Sequence, residues 1–204
     1  MKREAEIKKL LISNAIRLIA EGGFEKATTK ELALSGGDLP DFKMNEVYIY
    51  RLFGSKERLY ESAFLQLDSE LFSVLEKERE AIGDIEMQTR ERLYRLFLSV
   101  WRFILGNEAR CRCYVRYYYS IYFNGESLRS HKQTFGNIVK NMSPLFKEEA
   151  DVYSIMHGVF VMLFDFCIRV YNGDMEDSEI NRFHVFNVLY SMMTAYFKTP
   201  DPIA

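Results

Sequence analysis

Cysteine is scarce in this chain: Cys111, Cys113 and Cys167 are its whole complement in 204 residues. An odd count builds no even disulfide framework, and reduced thiols in a cytosolic protein are the simplest reading. The Cys-Arg-Cys spacing is neither a redox CxxC nor a zinc pair. His131, His157 and His184 stand at no ligand spacing either, so neither a metal nor a cofactor is expected. Proline (four) and glycine (eleven) are sparse, which argues against a turn-rich β architecture and for long helices. Charge of neither sign dominates, the formal net being −2. The most apolar run, residues 159–168, is interrupted by Asp165 and is by itself too short for a bilayer. The first residues lack the apolar centre of a signal peptide. There is no paired acid and base motif, no nucleophile beside a base and no Gly-rich GxGxxG element, so an enzyme is not expected.

What is abundant is apolar and aromatic. Hydrophobic residues make up 48% and aromatics 15%, with thirteen Tyr and sixteen Phe, enough to fill a core without staples. Residues 1–60 carry eleven Lys/Arg against nine Asp/Glu, whereas the remainder is acidic. That sign split suits an N-terminal nucleic-acid module but is too small to establish one.

Periodicity predicts an all-α protein. Ile7, Leu10, Leu11, Ala15, Leu18 and Ile19 trace one helical stripe over about residues 4–21, which Gly22-Gly23 stops. Thr28 or Thr29 caps a short second helix running to Leu34. Asn45 caps a third over residues 46–53, broken by Gly54. Ser55 caps a fourth that continues to about Glu80. Further helices are expected over residues 85–105, 108–123, 128–141, 149–171 and 178–197.

The short second and third helices lie close together in sequence, as in a helix-turn-helix, which lays its second helix in the major groove. Two separate blocks then carry a resemblance. Asn14-Ala15, Gly23-Phe24-Glu25-Lys26-Ala27-Thr28-Thr29 and Glu31-Leu32-Ala33 form the first. Tyr50-Arg51-Leu52-Phe53-Gly54-Ser55-Lys56-Glu57-Arg58-Leu59-Tyr60 forms the second. In this order they resemble the DNA-binding domain of the TetR family over residues 10–64. The resemblance implies a three-helix DNA-binding domain at 1–56 and a helical ligand-binding and dimerisation domain at 57–204.

It also implies a DNA-facing set: Thr28, Thr29, Lys43, Asn45, Glu46, Val47, Tyr48, Tyr50 and Lys56. Thr29, Tyr50 and Lys56 look like phosphate contacts, and Glu46, Val47 and Tyr48 fall at base-facing positions. From the residues alone other roles stay open. Tyr50 could be a core ring, Thr29 a cap, Lys56 a solvated lysine, and Glu46 a charge that favours the helix N-terminus. One departure from the family pattern stands in the turn, where residues 38–43 form an insertion of about six residues carrying two aspartates and Lys43.

A small apolar or aromatic ligand is expected in the C-terminal part. The aromatic run Tyr114, Tyr117, Tyr118 and Tyr122, with Arg116 among them, and Trp101, Phe103, Phe160 and Phe164 are the candidate pocket. The last two helices are apolar on more than one face, which calls for a partner. Ile155, Val159, Leu163, Phe166, Phe186, Leu189, Tyr190, Met193 and Phe197 are the candidate seam of a homodimer, as the resemblance implies. The expected function is a ligand-responsive repressor that binds palindromic double-stranded DNA as a homodimer. The alternative is a small-molecule-binding or interaction protein whose head no longer reads specific DNA because of the 38–43 insertion.

Overall fold

The computed structural model describes residues 2–34, 44–83 and 85–199. Among the described residues there are nine α-helices and no strand. They are α1 (Lys2–Lys26), α2 (Thr29–Leu34), α3 (Val47–Phe53), α4 (Lys56–Ile82), α5 (Thr89–Leu105), α6 (Glu108–Tyr118), α7 (Gly125–Met142), α8 (Val152–Tyr171) and α9 (Glu179–Thr194). A single 3-10 turn covers Ser143–Leu145. The expected all-α class is the observed one.

The helix ends follow from the side chains around them. The backbone of α1 leaves helical geometry at Gly23, with φ 73 and ψ −170, a conformation that excludes side chains. The Thr28 hydroxyl oxygen accepts from the Glu31 N–H at 3.2 Å, and Asn45 Oδ1 accepts from Val47 N–H at 3.1 Å. Ser55 Oγ caps α4 through Arg58 N–H at 3.2 Å. Asn107, Asp151 and Ser178 cap α6, α8 and α9 in the same way. Each such bond satisfies a donor the helix itself cannot pair.

Four of the later helices, α5, α6, α8 and α9, are shorter than periodicity predicts. The fifth starts at Thr89 rather than residue 85, because Gln88 is extended with φ −61 and ψ 145. The sixth ends at Tyr118 rather than residue 123. There Ser120 Oγ donates to the Tyr117 carbonyl at 2.8 Å and accepts from Tyr122 N–H at 3.1 Å, a side-chain alternative to helical pairing. After α9 the chain pairs briefly with residues 145–147. Phe146 and Phe197 form an isolated antiparallel bridge, their rings 5.1 Å apart.

The chain divides into two compact units, each built from separated stretches. The first comprises Met1–Ser69 and Asn107–His131, the second Glu70–Gly106 and Lys132–Ala204. In the first, α1 lies against α6 and α2. Leu11, Ile19, Leu32, Ile49, Leu59 and Phe64 are wholly buried there. Asn14, buried in α1, donates to the Leu32 carbonyl at 2.8 Å and so pairs an acceptor at the C-terminal end of α2. In the second unit α8 lies against α9 and α5.

By length and composition alone, α8 could cross a membrane, which corrects the reading from residues 159–168 taken singly. Within its unit it buries Met156, Val159, Leu163 and Cys167. Asp165 and Arg169 stand among its exposed residues.

Candidate functional site

The helix-turn-helix elements are held from beneath. Ile49, fully buried, anchors α3, while Leu32 and Ala33 anchor α2. Anchoring one side of a seven-residue helix leaves the other side outward. Val47 is 66% exposed and Tyr50 54% exposed, and Asn45, Glu46 and Arg51 are exposed beside them. Tyr50 is therefore not a core ring. Tyr48 is half-buried with the Arg51 guanidinium 4.7 Å above its ring. Among the residues expected to meet DNA, Thr28, Thr29 and Asn45 to Tyr50 thus come together around the start of α3. Lys43 and the rest of the 38–43 insertion lie outside the described residues.

Two polar details are specific to this surface. Thr29 Oγ1 donates to Glu46 Oε2 at 2.6 Å, tying the first turn of α2 to the residue before α3. The hydroxyl proton is thereby committed, while Glu46 itself is exposed and its carboxylate keeps further acceptor capacity. Lys56, half-exposed at the first turn of α4, has its ammonium 4.0 Å from Glu57. An exposed pair of this kind is worth little, roughly 0–1 kcal/mol, so the ammonium is readily available to another anion.

The aromatic run of α6 serves the first unit. Tyr114 and Tyr117 are buried against Phe64, with ring centroids 5.0 and 4.8 Å away. Tyr122 meets Phe24 at 4.6 Å. Arg116 donates to the Ile19 carbonyl at 2.6 Å, near the break in α1. Beneath these rings lies a polar network that no spacing argument foresaw. Asp68 Oδ1 accepts from the Tyr114 hydroxyl at 2.8 Å and lies 2.9 Å from His131 Nδ1. Ser127 Oγ donates to Glu61 at 3.0 Å and sits 3.0 Å from the Tyr117 hydroxyl. Burial and the Asp68 carboxylate hold the Tyr114 phenol protonated far above its ordinary range. The signal was present in the sequence: Glu61 and Asp68 interrupt the apolar stripe of α4 at Tyr60, Phe64, Leu67 and Leu71.

A cavity of about 100 Å³ lies within the second unit. Leu75 from α4, Leu93, Leu96, Phe97 and Val100 from α5, and Ile138 and Met142 from α7 form part of its wall. Met156, Val159, Phe160 and Leu163 from α8 and Phe186, Leu189 and Met193 from α9 complete the apolar lining. Glu76, Arg79 and Asn141 are its polar members. Of the candidate pocket residues, Phe160 lines this cavity. Trp101 is adjacent, its ring 5.5 Å from that of Phe97, and its indole N–H donates to Asp177 at 2.9 Å. Phe103 and Phe164 are half-buried elsewhere in this unit.

The candidate seam divides. Val159, Leu163, Phe186, Leu189 and Met193 face the cavity of their own chain. Tyr190 and Phe197 are buried too, while Ile155 and Phe166 are half-buried. The large apolar side chains that α8 and α9 leave exposed are Val161, Met162, Ile180, Phe183 and Val188.

No family model matches the sequence, and no curated protein is significantly similar to it. Solved structures are similar in fold. A TetR family transcription regulator from Marinobacter aquaeolei VT8 superposes with TM-score 0.76 at 15% identity, covering 94% of this chain and 98% of that one. A protein from Shewanella sp. PV-4 assigned to the TetR family of transcription regulators gives 0.73 at 14% identity, covering 95% and 99%. The multidrug binding protein EbrR, solved with imidazole, gives 0.62 at 15% identity, covering 96% and 97%. The chain therefore has the all-α fold of TetR-family regulators along nearly its whole length.

Proposed function

We propose that this chain is a ligand-responsive DNA-binding transcriptional regulator of the TetR type: a cytoplasmic, non-enzymatic repressor released from its operator by a small molecule. The observation that carries this reading is the outward strip of α3. A helix anchored by Ile49 and presenting Val47 and Tyr50 to solvent beside the N-terminal turns of α2 and α4 offers base-reading and phosphate-binding groups together. Val47 would meet a thymine methyl, and the Glu46 carboxylate would accept from cytosine N4. Tyr50 and Lys56 would hold phosphates.

A homodimer reads a palindrome, since a two-fold axis relates two copies of α3 to two half-sites. The exposed apolar residues of α8 and α9 are the surface we assign to that contact. The cavity of the second unit is the assigned ligand site, a role supported by the small-molecule binding recorded for EbrR. Helix α4 starts shortly after α3 and supplies Leu75, Glu76 and Arg79 to the cavity wall. A ligand that prefers one setting of this helix would bias the reading heads, and one without a preference would change nothing.

The test is selection of bound sequences from a random duplex pool, followed by fluorescence anisotropy. An inverted repeat is expected, bound by a dimer. Tyr50→Ala and Lys56→Ala are expected to weaken binding about tenfold or more without unfolding the chain, and Lys56→Ala to lower the salt slope by about one. Binding without sequence preference at low salt would overturn the proposal. So would affinity that appears only after residues 38–43 are removed.

A further inference from the structure

Helix α3 has one wholly buried residue, Ile49, and that fixes which way the rest of it points. At about 100° per residue, Val47 and Arg51 stand roughly 160° and 200° from Ile49, and Tyr50 only about 100°. The two positions nearest the outward midline are therefore Val47 and Arg51, one turn apart on the same ridge. Exposure agrees. Val47 is 66% exposed and Arg51 is exposed as well, whereas Leu52 and Phe53 are half-buried. Arg51 thus shares the ridge of the proposed thymine contact.

Its side chain is held in place. The guanidinium carbon lies 4.7 Å from the centroid of the Tyr48 ring. Tyr48 stands three residues earlier, so the stack turns the Arg51 side chain back towards the N-terminal turn of α3, the end that a recognition helix brings to base edges. Tyr48 is half-buried, which steadies the ring. A cation over a ring face is held without a hydrogen bond, so the N–H donors of Arg51 stay available. Among the described residues no carboxylate forms an ion pair with Arg51. A side chain already oriented also loses less freedom on binding.

A planar fork of donors suits one base edge above the others. Guanine presents two acceptors in the major groove, O6 and N7. Adenine and cytosine each present an amino donor there, for which a guanidinium has no acceptor, and thymine presents a single carbonyl. Resting on the DNA-reading role proposed above, we infer that Arg51 selects guanine in the major groove and that Tyr48 is the residue that positions it. Four residues of α3 rise about 6 Å and base pairs stack about 3.4 Å apart, so the guanine lies within about two base pairs of the thymine opposite Val47. The competing role for an exposed arginine is a phosphate contact, which fixes register without base preference.

The full-length protein is used to select duplexes from a random pool, and the recovered inverted repeat is titrated by fluorescence anisotropy. One guanine in each half-site is expected to be preferred over the other bases by on the order of tenfold or more. In Arg51→Ala that preference should fall to near parity at this position alone, while the rest of the half-site keeps its order. Replacing the same guanine by 7-deazaguanine, which lacks the N7 acceptor, should weaken the unaltered protein about tenfold and leave Arg51→Ala unchanged. Tyr48→Leu should lose roughly threefold or more of the guanine preference, with circular dichroism showing a folded protein. Tyr48→Phe, which keeps the ring, should retain the preference. If Tyr48→Leu does not fold, Tyr48→Met takes its place.

A uniform loss of affinity across sequences in Arg51→Ala, with a lower salt slope, would assign Arg51 to phosphate and overturn the inference. An unchanged guanine preference in that variant, or equal sensitivity of both proteins to 7-deazaguanine, would overturn it too. Full guanine selection in a folded chain without the Tyr48 ring would overturn the positioning role. In each of these cases a specific site is still recovered and the regulator reading stands. Recovery of no preferred sequence would overturn that reading, and the inference with it.

Discussion

Asp68 shows how much a single side chain can decide in a helical core. It is 1% exposed and accepts from Tyr114 and His131 at under 3 Å. Its charge is tolerable in an apolar surround because donors from two other helices converge on it. Replacing it by Ala leaves a phenol and an imidazole without that acceptor, so Asp68→Ala should lose about 3 kcal/mol in urea unfolding. Asp68→Asn, which keeps an acceptor, should lose less.

The thiols of α6 carry a pH signature. Burial pushes Cys111 and Cys113 up to about 12 from an ordinary 9.0. A raised acid binds its proton more tightly in the folded chain. Its contribution is therefore complete below pH 9 and is lost progressively between pH 9 and 12. The slope of unfolding free energy against pH in that window should become shallower in Cys113→Ala. An equal slope in the variant would show that this thiol takes no part. Both thiols should also resist alkylation near neutral pH while the chain is folded.

Among the elements, α3 is short enough to depend on its boundaries. Seven residues cannot form a stable helix alone, so α3 exists by its caps and by Ile49. Gly54 closes it at φ 84, donating its N–H to the Tyr50 carbonyl at 2.9 Å. No neighbouring atom would obstruct a side chain there, so the cost of Gly54→Ala is backbone strain alone. About 1–2 kcal/mol of stability is the expected loss, measured by thermal unfolding. Operator affinity should fall with it if the end of α3 sets the position of Tyr50. The Thr29–Glu46 bond acts at the opposite end, and Thr29→Val should leave the fold intact while changing which bases are preferred opposite Glu46.

At the scale of the whole molecule, the apolar residues left exposed on α8 and α9 are the surface proposed above for the dimer contact. Phe183 and Val188 are 44% and 43% exposed on α9. Phe183→Glu together with Val188→Glu should give a folded monomer by light scattering and should weaken operator binding, because two linked heads bind far better than one. A dimer unaffected by both changes would place the contact elsewhere.

Helix number, most caps and the helix-turn-helix were legible in the sequence, because they depend on near neighbours. Period-3.6 stripes, Asn and Ser before first turns, and glycine after last turns act within a few residues of where they stand. The outward residues of α3 were named through the family resemblance, which a contiguous block of residues carries. Three-dimensional contact alone decided where the aromatic run of α6 would lie. Tyr114 and Tyr117 close the first unit, whereas the cavity is walled by Leu and Met drawn from five helices. Contact alone also decided that Val159, Leu163 and Phe186 face their own chain. A helix that is apolar on several faces carries no mark of which face meets which neighbour, since burial is non-directional. His131 as a partner of Asp68 and Asn141 as a partner of Glu76 were hidden likewise, as hydrogen bonds between residues more than sixty apart leave no local pattern.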